Sequence, residues 1–134
     1  MEKYQSVLRF IRYEVNEIYF KNNANFKLNK DGTPIDLKII PTVDIEDKNM
    51  NITLQIVIFE GAEQTNKPFE MKVNITGYFM AEGCNPETLK ANAIAILYPY
   101  VRAIVSTYTA NANITPLILP TINVNKLIED QEEN

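Results

Sequence analysis

Hydrophobic residues fall on alternate positions through the middle of this chain, and beyond residue 83 their spacing lengthens to about three and four. In residues 51–59, Ile52, Leu54, Ile56 and Ile58 share one face, with Thr53, Gln55 and Val57 on the other. Residues 69–81 repeat the pattern, with Phe69, Met71, Val73, Ile75, Gly77 and Phe79 opposed to Glu70, Lys72, Asn74, Thr76 and Tyr78. A period of two predicts strands with one buried face. Residues 35–45 alternate less cleanly and contain Pro41, which lacks a ladder donor and points to an edge, a bulge or a bend. Residues 13–21, YEVNEIYFK, are rich in β-branched and aromatic side chains and read as a first strand. Residues 46–50 and 61–68 are short enough for hairpins, and no crossover helix separates the strands, so the sheet is expected to be antiparallel.

The helical period begins after Gly83, with Asn85 as cap, Pro86 at the first helical position and Glu87 in the first turn. Ile94, Leu97, Tyr98, Val101, Ile104, Val105 and Tyr108 keep helical spacing, while Ile96, Tyr100 and Ala103 fall on the opposite side. The polar stripe of a surface helix is nearly missing. Such a helix wants protein on two sides, its own sheet and either another copy or a bound client. Pro99 is expected to kink the helix or mark a second start. Residues 115–120 cannot be helical, and Asn123 caps a short final helix over residues 124–131. Residues 22–34 form a long loop whose sizeable apolar anchors are Phe26 and Leu28. Residues 1–12 suit either a short amphipathic helix or an extended start. The order β-β-β-β-α-loop-α defines an α+β fold, with a four-stranded antiparallel sheet, a long helix on its buried face and a short last helix, in one domain spanning residues 1–134.

Composition narrows the function. A hydrophobic share of 46% with 22% charged residues is that of a folded globular chain rather than a disordered one. No apolar core with a small-residue cleavage site opens the chain, and the longest apolar run carries Pro99 and Arg102, so a cytoplasmic protein without a membrane span is expected. Histidine is absent and cysteine occurs once, at Cys84, which leaves no thiol and imidazole set for zinc and neither a Ser-His-Asp nor a Cys-His arrangement. No glycine-rich phosphate cradle is present. Glu60 and Glu70 could meet as a carboxylate pair, but acidic residues at strand ends are far more often solvated than catalytic. An enzyme is not expected, nor any cofactor. The net charge of −4 and the scattered lysines argue against nucleic acid. The three Asn-Ile-Thr triplets match the glycosylation pattern and carry no meaning in a chain without export signals. The acidic residues gathered after residue 128 read as a solvated helix terminus.

Ile96, Leu97, Tyr98, Pro99, Tyr100, Val101 and Arg102, followed by Pro116, Leu117, Leu119, Pro120, Ile122 and Asn123, resemble the helix-and-loop signature of the SecB export chaperones. Weaker similarity covers residues 13–20 and 69–79, so it extends over most of the chain. The resemblance implies a chaperone that holds unfolded or preprotein polypeptides export-competent in apolar grooves, built as a dimer of dimers. Phe26, Phe69, Tyr78, Ile114, Leu117 and Leu119 are the groove candidates, although the same residues could simply plug the ends of the core. Ile96, Tyr100, Ala103 and Thr107 are the expected interface between copies. The resemblance also implies an acidic sheet face that docks the SecA motor. Glu17 keeps one acidic position, but Lys21 and Lys72 reverse two others, which argues against that contact. SecB-like chaperones that protect a single antitoxin would fit the same wording, and a non-chaperone adaptor oligomer with its apolar loops buried is the remaining alternative. Arg102, on so apolar a helix, is expected to form a salt bridge or clamp a loop.

Overall fold

The computed structural model describes residues 7–112 and 114–133. Four strands, β1 (Leu8–Asn22), β2 (Leu37–Glu46), β3 (Asn49–Ile58) and β4 (Phe69–Ala81), form one antiparallel sheet in the order β1-β4-β3-β2. β4 occupies the same residues that its alternation predicts. Its odd-numbered members face a core shared with Met50, Ile52, Leu54, Ile56 and Ile58 of β3.

Pro41 lies on an edge strand, as its missing donor requires. Asp36 O accepts from Phe59 N at 2.9 Å, which places the even-numbered residues of β2 in the bonds to β3. Pro41, of odd number, therefore turns its nitrogen to the open side, where no ladder bond is lost.

β1 begins at Leu8. The helical alternative for the start of the chain fails over residues 7–12, because Leu8 and Phe10 pair with Ala81 and Phe79 on the core face. Residues 1–6 lie outside the described residues. The segment expected to be a plain hairpin between β3 and β4 contains a single helical turn, α1 (Ala62–Thr65), preceded by Gly61 at φ +68°.

After β4, the Asn85 side chain accepts from Glu87 N at 3.1 Å and opens a 3-10 turn, Pro86–Leu89. The long helix α2 (Lys90–Asn111) follows and runs through Pro99 without a second start. An internal proline costs about 3 kcal/mol. Here it stands on the solvent side, where water can reach the carbonyl left without its donor, while Leu97, Tyr98 and Val101 are buried beside it. α2 packs over β3 and β4, and the last helix, α3 (Val124–Glu133), packs on α2 and β2. Asn123 caps α3 through Lys126 N at 3.0 Å. Where α2 crosses β4, Gly77 makes room: a Cβ there would stand 2.8 Å from Leu97 Cδ1 and 2.9 Å from Phe79 Cε2.

Candidate functional site

Because α2 lies over β3 and β4, the core-side residues of β1 are left partly uncovered. Tyr13, Val15 and Ile18 of β1 are exposed on the same side of the sheet as α2. Two aromatic contacts bridge the strand to the helix. Tyr100 meets Tyr13 with ring centroids 4.6 Å apart and Phe10 at 5.4 Å. Further along, Tyr108 meets Phe20 at 5.7 Å. Between these bridges the small residues Ala103 and Thr107 leave a cleft of about 330 Å³, which Tyr13, Ile18 and Ile104 also line, with no charged side chain among its walls. Desolvating such a surface costs little, since no ion must be stripped of water.

The four residues expected at an interface between copies, Ile96, Tyr100, Ala103 and Thr107, are all exposed along one side of α2, and the last three line this cleft. The six groove candidates are not brought together. Phe69 is 5% exposed and Leu119 0%, both inside the core. Tyr78 stands on the opposite face of the sheet, with its hydroxyl donating to Glu14 Oε2 at 3.1 Å. Phe69 and Tyr78 are nine residues apart on a strand without bulges, so alternation puts them on different faces. Phe26, Ile114 and Leu117 are half-buried in the two irregular segments that follow β1 and α2. Those segments also display the most exposed large aliphatics, Leu28 at 90% and Ile118 at 69%.

A polar stripe on α2 holds the second of these segments. Tyr98 donates its hydroxyl to Pro120 O at 2.6 Å, Arg102 Nε donates to Leu119 O at 3.1 Å, and Ser106 Oγ donates to Leu117 O at 3.0 Å. Leu117 N in turn donates to Thr109 Oγ1 at 2.9 Å. Arg102 is thus a loop clamp. Helical spacing aligns all four clamps on one side, and each takes a main-chain group that the proline-rich segment cannot satisfy by itself. Ser106 and Thr109 were not foreseen, although hydroxyl residues at helical spacing from Arg102 were the available sign. Burial raises the Tyr98 pKa above the usual phenol value, with the nearby Arg102 charge opposing it.

The other face of the sheet is polar and mixed in sign. Asn16 donates to Asn74 at 2.9 Å and to Thr76 at 2.8 Å, and Thr76 shares a hydrogen bond with Thr53 at 2.9 Å. Arg12 lies 4.0 Å over the Tyr78 ring and pairs with Glu14. The Glu14 carboxyl is held below its usual pKa, chiefly by hydrogen bonds from Arg12 and then Tyr78. Glu17 is exposed opposite Asn74, Lys21 pairs with Glu63 at 3.1 Å, and the Lys72 ammonium lies 5.6 Å from the centre of the Tyr19 ring. Glu70, considered as half of a carboxylate pair, accepts from Gly61 N at 2.5 Å and so closes the turn before α1. Cys84 is exposed and unpaired. Among the described residues no helix is long and apolar enough to cross a membrane.

An antiparallel four-stranded sheet backed by one long, nearly uncharged helix, with a loop pinned along that helix and an apolar face left open, defines the SecB-like class of α+β proteins. The chain belongs to the SecB family: the family model described as preprotein translocase subunit SecB matches residues 7–134. A relative from Methanocaldococcus jannaschii, described as an uncharacterized protein, is 34% identical over 131 residues, covering 95% of this chain and 81% of that protein. Among solved structures, the Mycobacterium tuberculosis SecB-like chaperone Rv1957, in complex with a peptide from the HigA1 antitoxin, superposes with a TM-score of 0.67 at 16% identity. It covers 87% of this chain and 91% of its own. A Streptococcus agalactiae protein of unknown function superposes with a TM-score of 0.52 at 14% identity, covering 85% and 97%. At these identities the two structures speak for the fold.

Proposed function

We propose that the chain is a chaperone that holds unfolded polypeptide in the cytoplasm, one domain to a chain, without catalysis, cofactor or metal. The observation that carries this reading is the display of Leu28 and Ile118 to solvent on two irregular segments whose neighbours Phe26, Ile114 and Leu117 are only half-buried. Large aliphatics on loops bind by buried area, which accepts many sequences provided they are extended and apolar. One such side chain contributes about 1.5–3 kcal/mol when fully buried, too little to retain a client. Several copies acting together raise the effective concentration of sites and retain a long chain. The uncharged side of α2, with Ile96, Tyr100, Ala103 and Thr107, and the cleft against β1 supply the contact between copies, in a dimer or a dimer of dimers. The client chemistry is an unfolded or preprotein polypeptide; nucleic acid finds no basic stripe here.

Two clienteles fit. A general export holder would pass its cargo to a basic motor such as SecA, and Lys21 and Lys72 on the polar sheet face weaken that contact. A guardian of one partner, such as an antitoxin, needs no motor, and the peptide in the Rv1957 structure favours it as the second reading. Aggregation of a chemically denatured, unrelated protein separates them. A general holder suppresses light scattering at near-stoichiometric ratio, and Leu28→Ser with Ile118→Ser abolishes the effect while the fold is kept. A guardian leaves unrelated proteins to aggregate and rescues only its partner. Full suppression by the double variant refutes the assignment of these loops.

A further inference from the structure

The loop that Arg102 clamps accounts for only part of its side chain. Nε donates to Leu119 O, but among the described residues neither Nη1 nor Nη2 has a hydrogen-bond partner, and no carboxylate pairs with the guanidinium. The rest of the donor fork and a full positive charge stay open on a half-buried residue. Charge drawn out of water in this way is costly until an anion meets it. Lys90, the other cation of α2, is half-buried too, but it already pairs with Glu87 at 2.6 Å.

Arg102 forms one wall of a hollow of about 160 Å³ between α2 and the segment that enters α3, and it is the one charged residue in the lining. Ala95 and Pro99 continue the helix wall, with Thr121, Ile122 and Val124 across from them. A space of this size takes one side chain, since a cavity of about 150 Å³ holds a benzene ring. Pro99 adds to the chemistry: having no N–H, it leaves Ala95 O without the donor a helix would give it. A fork of donors, a carbonyl acceptor and aliphatic walls thus surround room for a single residue. Ala95, Pro99 and Arg102 share one side of α2 by helical spacing, about a third of a turn from the side of Ile96, Tyr100, Ala103 and Thr107 assigned to assembly.

We propose that this hollow receives the free C-terminus of a polypeptide whose last residue is small and aliphatic, such as valine or alanine. The terminal carboxylate takes both Nη groups of Arg102 as a forked pair. The last side chain enters against Ile122 and Val124, and the last amide N–H donates to Ala95 O. A chain end is the occupant because its carboxylate, its N–H and its side chain all leave one carbon atom, which is the spacing that room for a single residue demands. The carboxylates of Asp and Glu stand one or two methylenes off their main chain and bring no aliphatic group with them. The inference rests on the reading of this chain as a holder of polypeptide. To the sequence-tolerant grip of Leu28 and Ile118 it adds one directional contact, so that a client is fixed by its end and held along its body by area.

NMR titration tests this on the Arg102 Nε–H and Thr121 amide signals, with an acetylated pentapeptide ending in alanine and valine. The free acid binds about tenfold or more tighter than its C-terminal amide. An amidated peptide with aspartate as its last residue binds no better than that amide. Thr121→Glu sets a carboxylate of the chain's own beside the fork and removes the preference for the acid, while Thr121→Gln, of the same shape without the charge, keeps it. Unchanged thermal unfolding of both variants shows that the Arg102 clamp on Leu119 O is intact. Ala95→Leu fills the hollow, leaves the charge in place and weakens the acid. The proposal is overturned if acid and amide bind alike, if the aspartate peptide matches the acid, if Thr121→Gln loses the preference as fully as Thr121→Glu, or if Ala95→Leu binds the acid unchanged. Suppression of aggregation separates this site from the holder role. A chain that suppresses it without preferring the acid keeps the role and loses the site, and one that prefers the acid without suppressing it keeps the site and loses the role.

Discussion

The contact between α2 and the sheet is sharpest at Gly77, and replacing that glycine with alanine measures how firmly the helix is set. The added methyl would stand 2.8 Å from Leu97 Cδ1 and 2.9 Å from Phe79 Cε2. Carbon atoms rest at about 3.5–4.0 Å, so Leu97 or the helix must retreat by roughly 0.7 Å or more. Overpacking of this kind costs about 1–3 kcal/mol. Alanine returns about 0.5–1 kcal/mol, since glycine loses more freedom on folding. At the middle of these ranges the net loss is about 1 kcal/mol, or roughly 3–4 °C in Tm for a domain of this size. Urea and thermal unfolding read it directly. Leu97→Ala, costing about 2–5 kcal/mol alone, opens space for the methyl, so the double variant loses about 1–2 kcal/mol less than the sum of the singles. A Gly77→Ala protein as stable as the original, or strict additivity with Leu97→Ala, would refute the close-approach argument.

Leu119→Ala removes a wholly buried anchor of the clamped segment and lowers stability by about 2–5 kcal/mol in chemical unfolding, whereas Ile118→Ala, next to it but exposed, changes it by less than about 0.5 kcal/mol. Burial raises the Tyr98 pKa in the folded protein. Its contribution is therefore fully present below the unfolded phenol value of about 10 and is lost as pH climbs through the raised value; Tyr98→Phe flattens that alkaline limb of the stability profile. Glu14 has the opposite sign: its lowered carboxyl pKa gives a contribution present above the ordinary carboxylate value and lost as pH falls through the lowered one. Glu14→Gln reduces the acid-side slope slightly, because the pair is open to solvent.

Where one face of an element is buried, the chain spelled it out. The alternation of residues 69–81 matches β4 to the residue, and the turn chemistry of Asn85 and Asn123 marks the two helix starts. The family resemblance, read from the motif around Pro99 and the segment at residues 116–123, agrees with the match over residues 7–134. The start of β1 was not legible, because Leu8 and Phe10 satisfy both a strand and a helical stripe until Ala81 and Phe79 are known to lie opposite. Nor was the sharing of faces along β1, since extra residues break the period and leave no composition signal. The six groove candidates come apart for a different reason. Phe69 and Tyr78 were grouped by residue type although parity separates them, and Leu119 could be placed only once the donors of Tyr98 and Arg102 were seen to draw its segment onto the helix.

Pro41 bears on how large an object these chains can build. A ribbon that grows without end needs two adhesive margins on every unit, and this sheet offers at most one, since its β2 margin lacks a donor at the midpoint and has α3 packed beside it. A sheet that took up a strand at its β1 margin could not repeat the step at β2, so growth along the sheet would stop there. The ring of a single proline thereby guards one margin of the sheet against fibre-like growth.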